Sequence, residues 1–86
     1  MRIRVVVAGR SYDQLAKLPG ELELPAGATL DDALAALARA LPGNATLPPS
    51  CLVAVGQDHL GTIGRHDSRP LADGEELVLL APVAGG

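Results

Sequence analysis

The sequence predicts an α+β fold in which a mixed sheet carries one main helix on one face and a slim carboxyl-terminal tail protrudes from it. Three observations lead there. Only the stretch from Leu30 to Leu41 sustains a helical repeat of apolar residues over several turns. Around it lie short runs with two-residue alternation or unbroken apolar character, separated by Gly and Pro turn signals. Their order is strand, strand, helix, strand, short strand, strand, which leaves a single helix to cover one face of the sheet. The last run, Leu77-Val78-Leu79-Leu80, is apolar at every position, as in a strand buried on both faces, and it leads into Pro82 and a terminal pair of glycines.

Met1 to Ala8 alternates as a first strand, with Ile3, Val5 and Val7 toward the core and Arg2, Arg4 and Val6 on the other face. Gly9 breaks it, and Arg10 to Leu18 suits a short helical turn with Tyr12, Leu15 and Ala16 on one side. Pro19-Gly20 is a turn dipeptide, and Glu21-Leu22-Glu23-Leu24 then alternates as a half-buried second strand ending at Pro25. The two strands are expected to pair antiparallel across a long loop.

Thr29 is the N-cap of the helix, Asp31 and Asp32 place negative charge in its first turn, and Asp32 completes a capping-box-like pattern. Leu30, Leu34, Leu37 and Leu41 draw one apolar stripe with Ala33 and Ala38 beside it, and Pro42-Gly43 stops the helix near Leu41. Covering a sheet face explains this helix without any ligand. Asn44 to Ser50 reads as a loop, Cys51-Leu52-Val53-Ala54-Val55 as a third strand, and Gln57 to Pro70 as a Gly- and charge-rich segment with one short strand around His59 to Ile63. Asp73-Gly74 turns the chain into the final strand.

A chain of 86 residues is expected to form one domain over 1–86, with 82–86 as a flexible tail; at this size roughly 60% of the unfolded surface is buried. The composition is 48% apolar yet has no Phe or Trp and one Tyr, so the core must be aliphatic. A formal charge of −3 without a basic cluster disfavours nucleic acid as a partner. The longest apolar stretches, Val5 to Ala8 and Leu77 to Ala84, are too short to span a bilayer, and no signal-peptide core is evident, so the expected location is the cytoplasm. The single Cys51 has no partner for an internal disulfide, which suits a reducing compartment.

Candidates for chemistry inside the body of the chain are weak. His59 and His66 are seven residues apart in a polar segment, a spacing better suited to surface histidines than to zinc ligands, so no metal site is expected. Cys51 reads as a half-buried small apolar residue rather than a nucleophile. Asp31-Asp32 and Glu75-Glu76 are explained by a cap and a turn. No G-x-x-x-x-G-K-[ST] loop is present to hold ATP.

The tail is different. Pro82 lacks the amide hydrogen a neighbouring strand would need, so ladder pairing is expected to end at Ala81. Val83 and Ala84 are small and Gly85 and Gly86 have no Cβ, so Pro82 to Gly86 can thread a narrow slot in another protein. Val83 to Gly86 extends about 13 to 14 Å at full stretch. Alternation puts Leu77 and Leu79 inward and Val78 and Leu80 outward, where Val6 and part of the third strand extend an apolar patch fit for docking a protein. Isolated exposed leucines are also common on ordinary surfaces. Arg2, Arg4, Arg65 and Arg69 either rim this patch or are simply solvated charges.

The run Leu71-Ala72-Asp73-Gly74-Glu75-Glu76-Leu77-Val78-Leu79-Leu80-Ala81-Pro82-Val83-Ala84-Gly85-Gly86 resembles the carboxyl-terminal signature of the ubiquitin-like sulfur carriers of the MoaD/ThiS kind, above all the small subunits of molybdopterin synthase. There an L-x-D-G-D/E-E turn leads through an apolar strand to P-V-x-G-G. A terminal Gly-Gly alone is a weak signal, whereas the sixteen-residue pattern is specific. Weaker likeness extends to the first strand and to Leu52-Val53-Ala54-Val55. The chain departs from the family at Gly56-Gln57, where an Asn is frequent, and in its longer segment from Asp58 to Arg69, which leaves open which pathway's partners it fits.

The resemblance implies a β-grasp fold and a carrier without catalytic residues of its own. It implies that a ubiquitin-activating-type enzyme, using ATP, adenylates Gly86, and that a sulfur donor protein converts the product to a thiocarboxylate. The loaded tail then enters the large subunit of molybdopterin synthase. Thiamine or cysteine synthesis are neighbouring possibilities, as is a modifier joined to lysines through Gly86. An interaction module with an inert tail ranks last.

Overall fold

The structure, a computed structural model, describes residues 1–9, 18–41, 47 and 50–81. Six strands and one helix make up the described part: β1 Arg2–Gly9, β2 Glu21–Glu23, α1 Leu30–Ala40, β3 Leu52–Val55, β4 Asp58–Thr62, β5 Arg65–His66 and β6 Glu76–Ala81. They form one mixed sheet in the order β2-β1-β6-β3-β4-β5, with α1 packed on one face. This is the β-grasp arrangement. The helical turn expected over Arg10 to Leu18 falls, except for Leu18, outside the described residues.

The sheet is organised around β6. It runs parallel to β1, pairing Val6 with Val78 and Ala8 with Leu80, and antiparallel to β3, pairing Ala54 with Val78 and Leu52 with Leu80. Parallel neighbours cannot be joined by a tight turn, so the chain between β1 and β6 supplies the crossover, and α1 lies within it. The start of β6 is tied to β1 by the Asp73-Gly74 turn. Asp73 Oδ1 accepts from the Arg2 amide at 2.7 Å, the Gly74 amide donates to the Arg2 carbonyl at 2.8 Å, and Gly74 holds φ at 85°, which an L side chain rarely adopts.

The helix begins as its sequence requires. Asp32 Oδ2 accepts from the Thr29 amide at 2.9 Å and Thr29 Oγ1 accepts from the Asp32 amide at 3.4 Å, closing the capping box. At the other end Leu41 is extended, at φ −75° and ψ 143°, as expected of a residue followed by proline. Leu30, Ala33, Leu34, Leu37 and Leu41 are buried, whereas Ala38, expected beside the stripe, is exposed because it falls beyond its edge. Ile3, Val5, Val53, Val55, Leu77 and Leu79 meet the helix from the sheet to form the aliphatic core. Cys51, expected half-buried, is fully buried, and burial pushes its thiol pKa up.

The segment after β3 departs from expectation. It holds two paired strands, β4 and β5, where one short strand was expected, joined by a turn at Ile63-Gly64. Thr62 Oγ1 accepts from the Arg65 amide at 3.2 Å, closing the turn with polar groups and leaving no apolar alternation to betray a hairpin. Gly61 lies at φ 124°, and a Cβ there would run into the Arg65 carbonyl oxygen.

Candidate functional site

The candidate site is the far end of β6 and the sheet face turned away from α1. Leu77 and Leu79 are fully buried toward the helix, so alternation turns Val78 and Leu80 to the outer face, where both are half-buried. The register places Val6 and Ala54 on either side of Val78, and Ala8 and Leu52 on either side of Leu80. Two apolar rows therefore cross three strands, and Val6, Val78 and Leu80 share one surface. Leu52 belongs to it as well. At 47% relative exposure it is the one large hydrophobic side chain exposed among the described residues, and the unbroken apolar character of Leu52 to Val55 concealed its orientation in the sequence. Pro82, Val83, Ala84, Gly85 and Gly86 lie outside the described residues; they follow directly on Ala81, one residue beyond Leu80.

The opposite end of the outer face is charged. Arg2 Nε lies 3.2 Å from Glu21 and 3.1 Å from Glu23, and Arg4 reaches Glu76 at 3.9 Å. Arg2, Arg4, Glu21 and Glu23, with Met1, Asp73 and Gly74, line a cleft of about 400 Å³, at the opposite end of β6 from Ala81. The face is thus polarised along β6, with ion pairs where the strand begins and aliphatic groups where it ends.

The remaining charges sort differently from their sequence reading. Arg69, expected as a rim or solvated charge, is half-buried and grips Glu75, with Nη2 2.9 Å and Nη1 3.4 Å from its two carboxylate oxygens, while Asp58 lies 3.6 Å away. Arg69 holds the Glu75 carboxyl below its ordinary pKa. His66 is likewise no free surface histidine. Its Nε2 lies 2.6 Å from Asp31 Oδ1 on α1, and its Nδ1 faces the Thr62 and Ile63 carbonyl oxygens at 2.9 and 3.1 Å. Both ring nitrogens thus face acceptors, an environment that calls for two N–H donors and therefore the imidazolium. The hydrogen bond with Asp31 raises the His66 pKa, and His66 lowers that of Asp31. The pair clamps the β4–β5 hairpin to the first turn of the helix. Asp31, read as a helix-end charge, has this second task. His59 pairs with Ala54 in the register and is exposed on the outer face. No cluster of three metal-ligating side chains forms among the described residues, and no helix among them is long and apolar enough to cross a membrane.

A mixed sheet with one helix and apolar rows along its central last strand is the β-grasp framework of the sulfur carriers of the ThiS/MoaD type. The chain belongs to the ThiS family, whose family model matches residues 11–86. It is also similar to the molybdopterin synthase sulfur carrier subunit of Chlamydomonas reinhardtii, at 28% identity over 86 residues that span all of both chains. No solved structure matches it.

Proposed function

We propose that this chain carries sulfur as a thiocarboxylate on Gly86 and donates it in molybdopterin synthesis. The observation that carries the reading is the continuity of the outer apolar rows with the start of the tail: the surface that can hold a partner reaches Leu80, two residues before the segment that must enter it. Family membership and the likeness to a molybdopterin synthase sulfur carrier subunit support the choice of cargo and pathway.

The chemistry follows from the terminal group. A carboxylate is a poor electrophile, because its charge repels nucleophiles and oxide is a hopeless leaving group. Attack of a Gly86 oxygen on the α-phosphorus of ATP, in an adenylating partner, expels pyrophosphate and creates an acyl-adenylate. The persulfide sulfur of a donor protein then displaces AMP to give an acyl disulfide, and a thiol cleaves its S–S bond, releasing the thiocarboxylate and leaving the donor's remaining sulfur in a disulfide. The large subunit of molybdopterin synthase accepts the loaded tail and moves the sulfur onward. The chain itself is carrier and co-substrate, with catalysis residing in its partners. Val78, Leu80 and Val6 dock the partner, Pro82 to Gly85 thread its active site, and Gly86 takes the covalent change. One domain with a slim tail suffices for this. The work is done in the reducing cytoplasm, which suits a chain with one buried cysteine.

The test is to present wild-type chain, and a variant bearing one extra tryptophan after Gly86, to the adenylating enzyme with ATP. Pyrophosphate should be released with the former only. Equal release from both would remove Gly86 as the reacting group.

A further inference from the structure

Among the described residues the outer face carries one arginine without an acidic partner, and its position has a geometric consequence. Register pairs link Ala8 to Leu80, Leu80 to Leu52, Leu52 to Thr62, and Thr62 to Arg65, so these five residues form a single row across β1, β6, β3, β4 and β5. The neighbouring residue His66 turns to the helix side to meet Asp31, which confirms that Arg65 turns outward. Of the three arginines on this face, Arg2 and Arg4 are held by Glu21, Glu23 and Glu76, whereas Arg65 is exposed and has no acidic partner among the described residues. The row is also the apolar one nearest the tail, and exposed Leu52 sits in it between Leu80 and Arg65.

We propose that Arg65 is an orienting contact of the docking face, matched by a carboxylate on a partner protein whose apolar patch covers Leu80 and Leu52. This rests on the proposed docking of the outer face and adds the partner's chemistry to it. Apolar contact is non-directional, and the tail fixes only a point of attachment, so together they leave the carrier free to rotate about that point. A charge set off to one side removes the freedom. Three strand spacings separate Leu80 from Arg65, about 14 Å, a long enough arm for one ion pair to select one angle of approach. The hairpin bearing Arg65 is tied to α1 by the His66–Asp31 contact, and the same ring closes on the Thr62 and Ile63 carbonyl oxygens within the hairpin, so the arm is anchored rather than hanging from a loop. Complementary charge at such a rim acts chiefly on association rate and on the rejection of wrong partners.

The experiment compares wild type, Arg65→Glu and Leu52→Asp for association with the adenylating enzyme and, separately, with the large subunit of molybdopterin synthase, at about 50 mM and about 500 mM salt, after thermal melts have verified that each variant is folded. Arg65→Glu should slow association with at least one of the two by about three- to tenfold at low salt, and the difference should shrink at high salt as the screening length shortens. Leu52→Asp should weaken binding at both salt concentrations. Unchanged low-salt rates of Arg65→Glu with both partners would overturn the role of Arg65, and faster association would overturn it too, because the facing group would then be basic. Unchanged binding of Leu52→Asp would instead overturn the docking face itself, so the two failures are distinguishable.

Discussion

Leu79 and Leu52 are cross-sheet neighbours with opposite duties, and truncating each to alanine separates the core from the docking face. Leu79 is fully buried, pairs with Val7 and Val53 in the register, and lies under α1. Removing three carbons there forfeits burial and leaves a cavity, a loss of about 2 to 5 kcal/mol. A chain of this length has a total stability on the order of 4 to 13 kcal/mol, so the loss is a large part of it. With about 4 to 8 °C of melting temperature per kcal/mol in small domains, Leu79→Ala should melt roughly 10 °C or more below wild type. Leu52 already exposes 47% of its surface, so its truncation gives up less than about 1 kcal/mol and moves the melting temperature by less than about 8 °C. Binding should respond the other way: among folded molecules, Leu52→Ala weakens association with the adenylating enzyme while Leu79→Ala retains it. Thermal melts followed by calorimetric titration read both quantities. Equal destabilisation by the two substitutions, or full-strength binding of Leu52→Ala, would refute the assignment of faces on which the docking surface depends.

Two further predictions concern the β4–β5 hairpin. Because the folded pKa of His66 is raised, its contribution to stability is complete below the ordinary histidine pKa and is lost as pH rises through the folded value; the lowered pKa of Asp31 means its share disappears only on strong acidification. The melting-temperature gap between wild type and His66→Gln should therefore be widest between about pH 4 and pH 6.5 and narrow above that, and a gap independent of pH would contradict an imidazolium clamp. Gly61→Ala should cost about 1 to 3 kcal/mol in urea unfolding, because the backbone is in a conformation unsuited to L residues and the new methyl group meets the Arg65 carbonyl; a neutral or stabilising result would place Gly61 elsewhere in conformation.

What was legible in the sequence was what local physics decides. Thr29 and Asp32 are three residues apart and their cap is an interaction of one helical turn, so it could be read directly, as could the leucine stripe and the stop before Pro42. The inward turn of Leu77 and Leu79 followed from alternation once β6 was taken as a strand. The hairpin of β4 and β5 was not legible, because only Leu60 and Ile63 among its residues are apolar and its closure depends on Thr62 and on a clamp between His66 and Asp31, which are 35 positions apart. Arg69 was misread for the same reason: its partner Glu75 is six residues away across a turn, and Asp58 approaches from another strand. In Leu52-Val53-Ala54-Val55 every residue is apolar, so only the register with β6 shows that Leu52 faces outward. The tail, by contrast, was recognised by its pattern.

The terminal carboxylate is the heart of the account, and intact-mass analysis of the protein taken from its native cells examines it most directly. A carrier should include a population heavier by the exchange of one oxygen for sulfur, with the change confined on fragmentation to the peptide that ends at Gly86. Chains joined through Gly86 to lysines of other proteins, or a sulfur-loaded mass that persists after Gly85 and Gly86 are deleted, would contradict it.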